Sequence, residues 1–213
     1  MSLISSIHHR YIFGRRIRRL CDALIAAIPH GARVLDIGAG DGSLDRLLMQ
    51  HRPDITINGV DVLVRPETAI PVKLFDGLHL PYADKSWDVA MFVDVLHHTN
   101  HQRELLKEAL RVANVIVIKD HLDDGLLSNR TLRFMDHVGN ADYGVALPYD
   151  YWSTRQWTET FEELRLQPSQ WQSKLHLYPF PLNLWFDRSL HFVATLEPTA
   201  QPVKSGPVAG YAV

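Results

Sequence analysis

The residues best placed to do chemistry stand in the first quarter of the chain. Arg33 to Leu44 reads RVLDIGAGDGSL, with an acid two residues ahead of three glycines at alternate positions. Val34, Leu35 and Ile37 suit a buried parallel strand, and Gly38, Gly40 and Gly42 remove the side chains that would hold a ligand off the backbone. Asp41 or Ser43 can then cap a helix carrying Leu44, Leu47 and Leu48. The N-terminus of such a helix offers free N–H groups and partial positive charge to a carboxylate or phosphate, and Asp36 supplies the opposite sign. A loop of mixed sign suits a ligand bearing an ammonium and a single carboxylate better than a pyrophosphate. The spacing agrees, because a dinucleotide GxGxxG loop needs glycine at position 43, where this chain has Ser43.

More acids and histidines fall at the ends of strand-like segments. Ile55 to Val62 alternates and ends at Asp61, nineteen residues beyond Gly42, where a carboxylate can accept from both ribose hydroxyls of a nucleoside. Pro71 to Phe75 reads as a short strand followed by Asp76, Gly77 and Leu78, an acid–glycine pair that also reads as a plain turn. Trp87 to Val93 is strand-like and runs into Asp94, His97 and His98, while Asn114 to Lys119 runs into Asp120 and His121. Ligands of open α/β sheets sit beyond the carboxyl ends of the strands, so Asp61, Asp94 and His121 gather chemistry on one sheet edge.

On these residues the chain resembles the class I methyltransferases that use S-adenosylmethionine (SAM). Asp36 to Gly42 matches their DxGxGxG signature, and the LPY and WD stretches at Leu80 to Tyr82 and Trp87 to Asp88 stand where the small "type 11" group has LPF and FD. The resemblance implies an α/β, Rossmann-like, seven-stranded, mostly parallel sheet with helices on both faces and a last antiparallel strand. It implies SAM as cofactor, held by Asp36, Gly38, Ala39, Gly40 and Gly42, by Asp61 and Val62 at the ribose, and by Val93 and Asp94 at the methionine end. Asp76 would accept from the adenine amino group, with Gly77 and Leu78 presenting backbone to the ring. The expected reaction is in-line methyl transfer to oxygen or nitrogen of a small-molecule or lipid-like acceptor.

The acceptor side is expected to hold Tyr11, His98, His121, Tyr143 and Tyr149. His121 is the first choice for a general base and His98 the second, since an imidazole of ordinary pKa takes a proton near neutrality. His97 and His101 lie four apart, a metal-like spacing, but Thr99 or Asn100 reads as a helix cap between them and no cysteine completes a set. No metal is expected. Two rivals remain: a non-catalytic SAM-binding protein of the same fold, and an NAD-dependent short-chain dehydrogenase. The second lacks the tyrosine with a lysine four positions on that it needs.

Elements must position these groups. Residues 1–30 are expected to form a helix covering the pocket, with apolar side chains at helical spacing from Ile4 to Ile28 and Arg10, Arg15, Arg16, Arg18 and Arg19 between them. Residues 31–197 form the catalytic domain, in which 122–152 read as an acceptor-side cap. Ser153 and Gln156 make a capping box for the helix that follows. Leu166 to Leu177 and Ser189 to Glu197 suit the final antiparallel pair, and 198–213 a disordered tail. The 213 residues, 46% hydrophobic and 22% charged, fit one core. A formal net charge of −2 gives no pull toward nucleic acid. A single cysteine, Cys21, and no membrane-length apolar run fit a cytoplasmic protein, while the oligomeric state stays open.

Overall fold

The computed structural model describes residues 3–140 and 148–199, apart from the side chains of 3–11, 13, 139 and 140. The side chain of Tyr11, all of Tyr143 and nearly all of the expected tail therefore lie outside the described residues. Seven strands form one sheet in the order β3-β2-β1-β4-β5-β7-β6. They are β1 (Arg33–Ile37), β2 (Thr56–Asp61), β3 (Val72–Leu74), β4 (Trp87–Val93), β5 (Ala113–His121), β6 (Leu166–Gln172) and β7 (His191–Pro198). The first five neighbours pair in parallel, and β7 runs antiparallel between β5 and β6. This is the expected architecture. The Val- and Ile-rich runs of β1, β4 and β5 are buried on both faces, as parallel strands between helix layers require.

Among the described residues there are six α-helices: α1 (Leu3–Ala27), α2 (Ser43–His51), α3 (Gln102–Val112), α4 (Ser128–Asn140), α5 (Thr154–Glu163) and the single turn α6 (Asn183–Phe186). Alternation along the strands divides the core into two layers. Val34, Met91, Val117 and Val193 pack beneath α1 and α2 with Leu20, Leu24 and Leu48. Leu35, Phe92, Ile118 and Phe192 pack on the other face with Leu105 and Leu106 of α3 and Trp157 and Phe161 of α5. Cys21 is a buried core residue of α1, as its helical position suggested.

Local boundaries differ from expectation where side chains compete with propensity. Gly42, at φ 69°, takes the N-cap position of α2, and Asp41 rather than Ser43 does the capping: its Oδ1 accepts from the Ser43 N–H at 2.9 Å. His101 occupies the N-cap position of α3, and the Thr99 hydroxyl accepts from its N–H at 3.1 Å. The capping box of α5 is present in both directions, Ser153 N–H to Gln156 Oε1 at 3.0 Å and Gln156 N–H to Ser153 Oγ at 3.3 Å. β6 stops at Gln172, short of Leu177. β5 runs two residues beyond Lys119, because Asp120 and His121 pair with Phe192 and His191 of β7. His121 is thus the last residue of the strand, and it is buried.

Candidate active site

The glycine loop leaves β1 and is held by β2. The Gly38 and Ala39 N–H groups donate to the Val60 carbonyl at 2.8 and 3.2 Å, and the Gly40 N–H donates to Asp61 Oδ2 at 2.8 Å. The other carboxylate oxygen of Asp61 accepts from the Leu63 N–H at 2.9 Å. Gly38 needs to be glycine: at φ 85° a Cβ would stand 2.5 Å from a methyl of Val95. Gly40, at φ 59°, instead faces open space, with nothing within 4 Å of where its Cβ would be. A ligand can therefore approach the backbone at Gly40 beside the Asp61 carboxylate, and these are residues that would hold the nucleoside of SAM. Asp36 lies at the foot of the loop, buried with its Oδ1 unpartnered, next to the equally buried Asp45 of α2.

Asp76 adopts the turn reading. Its Oδ1 accepts from the Leu78 and His79 N–H groups at 2.8 and 2.6 Å, and Oδ2 meets the His79 ring at 2.8 Å. These donors, His79 first, hold its carboxyl down at about 2. Gly77, at φ 87°, lies beside Val62, where a Cβ would come 3.2 Å from the valine methyl, so Val62, Gly77 and Leu78 share the rim next to Asp61.

The carboxyl ends of β4 and β5 carry a denser group. Val93 pairs with Lys119, and Asp94, at φ 56°, turns the chain into the 3-10 turn Leu96–His98. Lys119 shares the α1 face with Val117 and is fully buried, its Nζ donating to Asp94 Oδ1. Arg16 of α1 reaches Asp94 Oδ2 at 3.2 Å. Burial would raise the Asp94 pKa, but Lys119, His121 and Arg16 hold it below its ordinary value. α1 is thereby tied to the sheet edge by charge as well as by its apolar face.

On the other side, Asp120 is buried with every acceptor used. Oδ1 accepts from the His121 N–H at 2.8 Å and meets His97 Nδ1 at 2.6 Å, and Oδ2 accepts from the Leu96 N–H at 3.0 Å. His97 Nε2 lies 3.2 Å from Asp136 of α4, and the Tyr151 hydroxyl donates to the same carboxylate. Burial opposes a charge on His97, but Asp120 and Asp136 outweigh it and carry its pKa up to about 10. The sequence offers no neighbour to complete a set around His97. The fold supplies three, from β5 and α4, which spacing along the chain could not reveal.

The two histidines chosen as bases part company. His121 sits 3.3 Å from Asp120 Oδ1 and 3.4 Å from His97 Nδ1, fully enclosed, and burial with Lys119 beside it lowers its pKa. His98 is half-buried, its Nδ1 has no hydrogen-bond partner, and burial and the charge on His97 push it down to about 4, so it is a neutral imidazole at neutral pH. Tyr149 packs on Tyr151 under the Arg133 guanidinium, 4.6 Å from its ring. Asp136, Tyr151 and Lys119 are members of this group that no motif assigns to the site; the sequence marks Lys119 only as charge at the end of a Val–Ile strand, and Asp136 and Tyr151 only as polar and aromatic residues of the 122–152 cap.

A methyltransferase-domain family model matches residues 7–170. The sarcosine/dimethylglycine N-methyltransferase of Aphanothece halophytica is 31% identical over 110 residues, 46% of this chain and 39% of that protein. The tRNA (carboxymethyluridine(34)-5-O)-methyltransferase of Schizosaccharomyces pombe is 25% identical over 100 residues, 45% of this chain and 42% of that one. The matched stretch thus spans less than half the length of either relative. Among solved structures, geranyl diphosphate C-methyltransferase from Streptomyces coelicolor A3(2), determined with Mg2+, geranyl-S-thiolodiphosphate and S-adenosyl-L-homocysteine, has a TM-score of 0.60. It is 10% identical, with 84% of this chain and 75% of that one covered, a likeness of fold. Together with the seven-stranded sheet and the open glycine loop, the family match establishes that the chain belongs to the methyltransferase-domain family of class I, SAM-dependent enzymes.

Proposed function

We propose that the protein methylates oxygen or nitrogen of a small-molecule or lipid-like acceptor. The observation that supports this reading is that the glycine loop after β1 and His98 after β4 both follow the carboxyl ends of neighbouring parallel strands, with open space at Gly40 and no hydrogen-bond partner for His98 Nδ1. SAM, when bound, supplies an electrophilic methyl on a sulfonium. The chain's own residues do the rest. Asp61 exchanges its bonds to the loop for bonds to ribose hydroxyls, and Val62, Gly77 and Leu78 offer a flat rim for the base. Asp36 and the loop N–H groups present both signs to the amino-acid end. Arg16, tied to Asp94, draws α1 over that end and helps exclude water, the covering role expected of residues 1–30.

His98 takes the acceptor proton in this scheme, since its ring is only half-buried and its Nδ1, itself enclosed, is uncommitted, whereas the whole of His121 is buried. A positioned base contributes about 10²–10⁴-fold in rate. His98→Ala should therefore lower kcat by at least about 10²-fold while SAM affinity holds, read from S-adenosylhomocysteine release against a panel of hydroxyl and amine acceptors. Normal turnover in the variant would assign the reaction to proximity alone and favour an amine acceptor. Tight SAM binding with no product from any acceptor would favour the non-catalytic reading. The acidic balance of the chain supports a small acceptor over a polyanion.

A further inference from the structure

We propose that His97, Asp120 and His121 form a binding site for one divalent transition-metal ion, zinc being the ion their donors suit best, at the junction of β5 and the Leu96–His98 turn. The proposal does not depend on the acceptor reading above.

Geometry comes first. His97 Nδ1, Asp120 Oδ1 and His121 Nδ1 form a triangle with edges of 2.6, 3.3 and 3.4 Å. Atoms so spaced lie on a circle of about 1.8 Å radius, so a point about 0.9 Å off their plane is about 2.05 Å from all three, the length of a zinc–nitrogen or zinc–oxygen bond. Tetrahedral spacing requires the hydrogen-bonded pair His97 and Asp120 to draw apart, while the other two edges already suit it.

The hydrogen bonds around the triangle are those a metal centre requires. A metal-ligating histidine normally gives its second N–H to a carboxylate. His97 Nε2 faces Asp136 at 3.2 Å, and Asp136 is itself held by the Tyr151 hydroxyl. The second oxygen of Asp120 is fixed by the Leu96 N–H. Without an ion, the two imidazole nitrogens point at one carboxylate oxygen and at each other, and a proton between them satisfies only one. His191 lies behind the triangle: its Nε2 is held 3.0 Å from the Phe186 carbonyl and its ring centroid is 5.0 Å from that of His121. The three-residue set leaves the remaining positions of the ion to exogenous ligands.

Charge permits occupancy. The nearby cations Lys119 and Arg16 are both engaged by Asp94, which leaves Asp120 and Asp136 to match a doubly charged ion. The competitor is a proton on His97, held between the same two carboxylates.

The test uses the full-length protein, stripped with chelator and checked for folding by circular dichroism. Titration with Co2+ should produce the visible absorption band of a low-coordinate site at one ion per chain, displaced by Zn2+, and Zn2+ should raise the melting temperature. His121→Ala should abolish the band. Asp120→Asn, which keeps the shape of the site, should weaken Co2+ binding at least tenfold, and His101→Ala, at an exposed position, should leave it unchanged. Folded protein that shows neither band nor melting shift with excess metal would overturn the proposal and assign the cluster to a proton only. So would a band that survives both His121→Ala and Asp120→Asn.

Discussion

Replacing Asp45 with asparagine should stabilise the protein above neutral pH. Asp45 stands in the first turn of α2, almost wholly buried, and no cation among the described residues reaches its carboxylate, which meets only its own backbone N–H and a neighbouring carboxyl. Its neighbour is another buried acid, Asp36. Burial lifts Asp45 to about 6 and Asp36 well above its ordinary value. Both folded-state pKa values are raised, so the unfolded chain gives up its protons first, near pH 4, and stability falls as pH climbs toward and past 6. The rise from 3.8 to about 6 corresponds to about 3 kcal/mol at about 1.4 kcal/mol per pKa unit, an upper bound because the two acids titrate together. Asparagine keeps the shape and removes the charge. With about 2–4 °C of melting temperature per kcal/mol for a chain of this size, the variant should melt above the parent at pH 8 by up to about 6–12 °C. The difference should vanish near pH 4. Scanning calorimetry of both proteins across that range is the assay. A variant that melts lower than the parent at pH 8, or a gap that does not change with pH, would refute the idea of a costly buried charge.

Other outcomes follow from the same site. Asp61→Ala should weaken SAM binding about 10- to 100-fold, the value of hydrogen bonds to a charged group, with little effect on folding, and unchanged affinity by calorimetric titration would remove Asp61 from the ribose site. Gly38→Ala drives a Cβ into Val95 at a backbone angle alanine resists, so it should lower both melting temperature and SAM affinity, with partial recovery when Val95→Ala is added. Recovery of neither would mean that the strain lies in the backbone alone. Asp94→Asn strands buried Lys119 and should destabilise the protein by about 3–5 kcal/mol in denaturant unfolding, whereas adding Lys119→Met should restore most of it. A double variant as weak as the single one would show that the cation is not the cause.

The sequence by itself determined the sheet and the glycine loop with its neighbouring acid. Those features are local: continuous apolar runs in β1 and β4, glycines at the turn out of β1, and an acid at the end of β2 all lie within short stretches whose residue types limit what the backbone can do. The capping box at Ser153 was legible for the same reason. What only the tertiary structure decided is the charged cluster beyond the carboxyl ends of β4 and β5. His97 and Asp120 are 23 residues apart, and Lys119 and Asp94 are 25 apart. Their meeting depends on the parallel register of β4 with β5. Asp136 and Tyr151 enter from a helix and a loop beyond the sheet. The assembled surroundings then reverse the chemistry that residue type suggests: His121 is enclosed, Asp120 and Asp136 charge His97 against its burial, and burial leaves His98 neutral. Desolvation and the nearest opposite charge set a side chain's protonation, and both are properties of the assembled fold rather than of the chain.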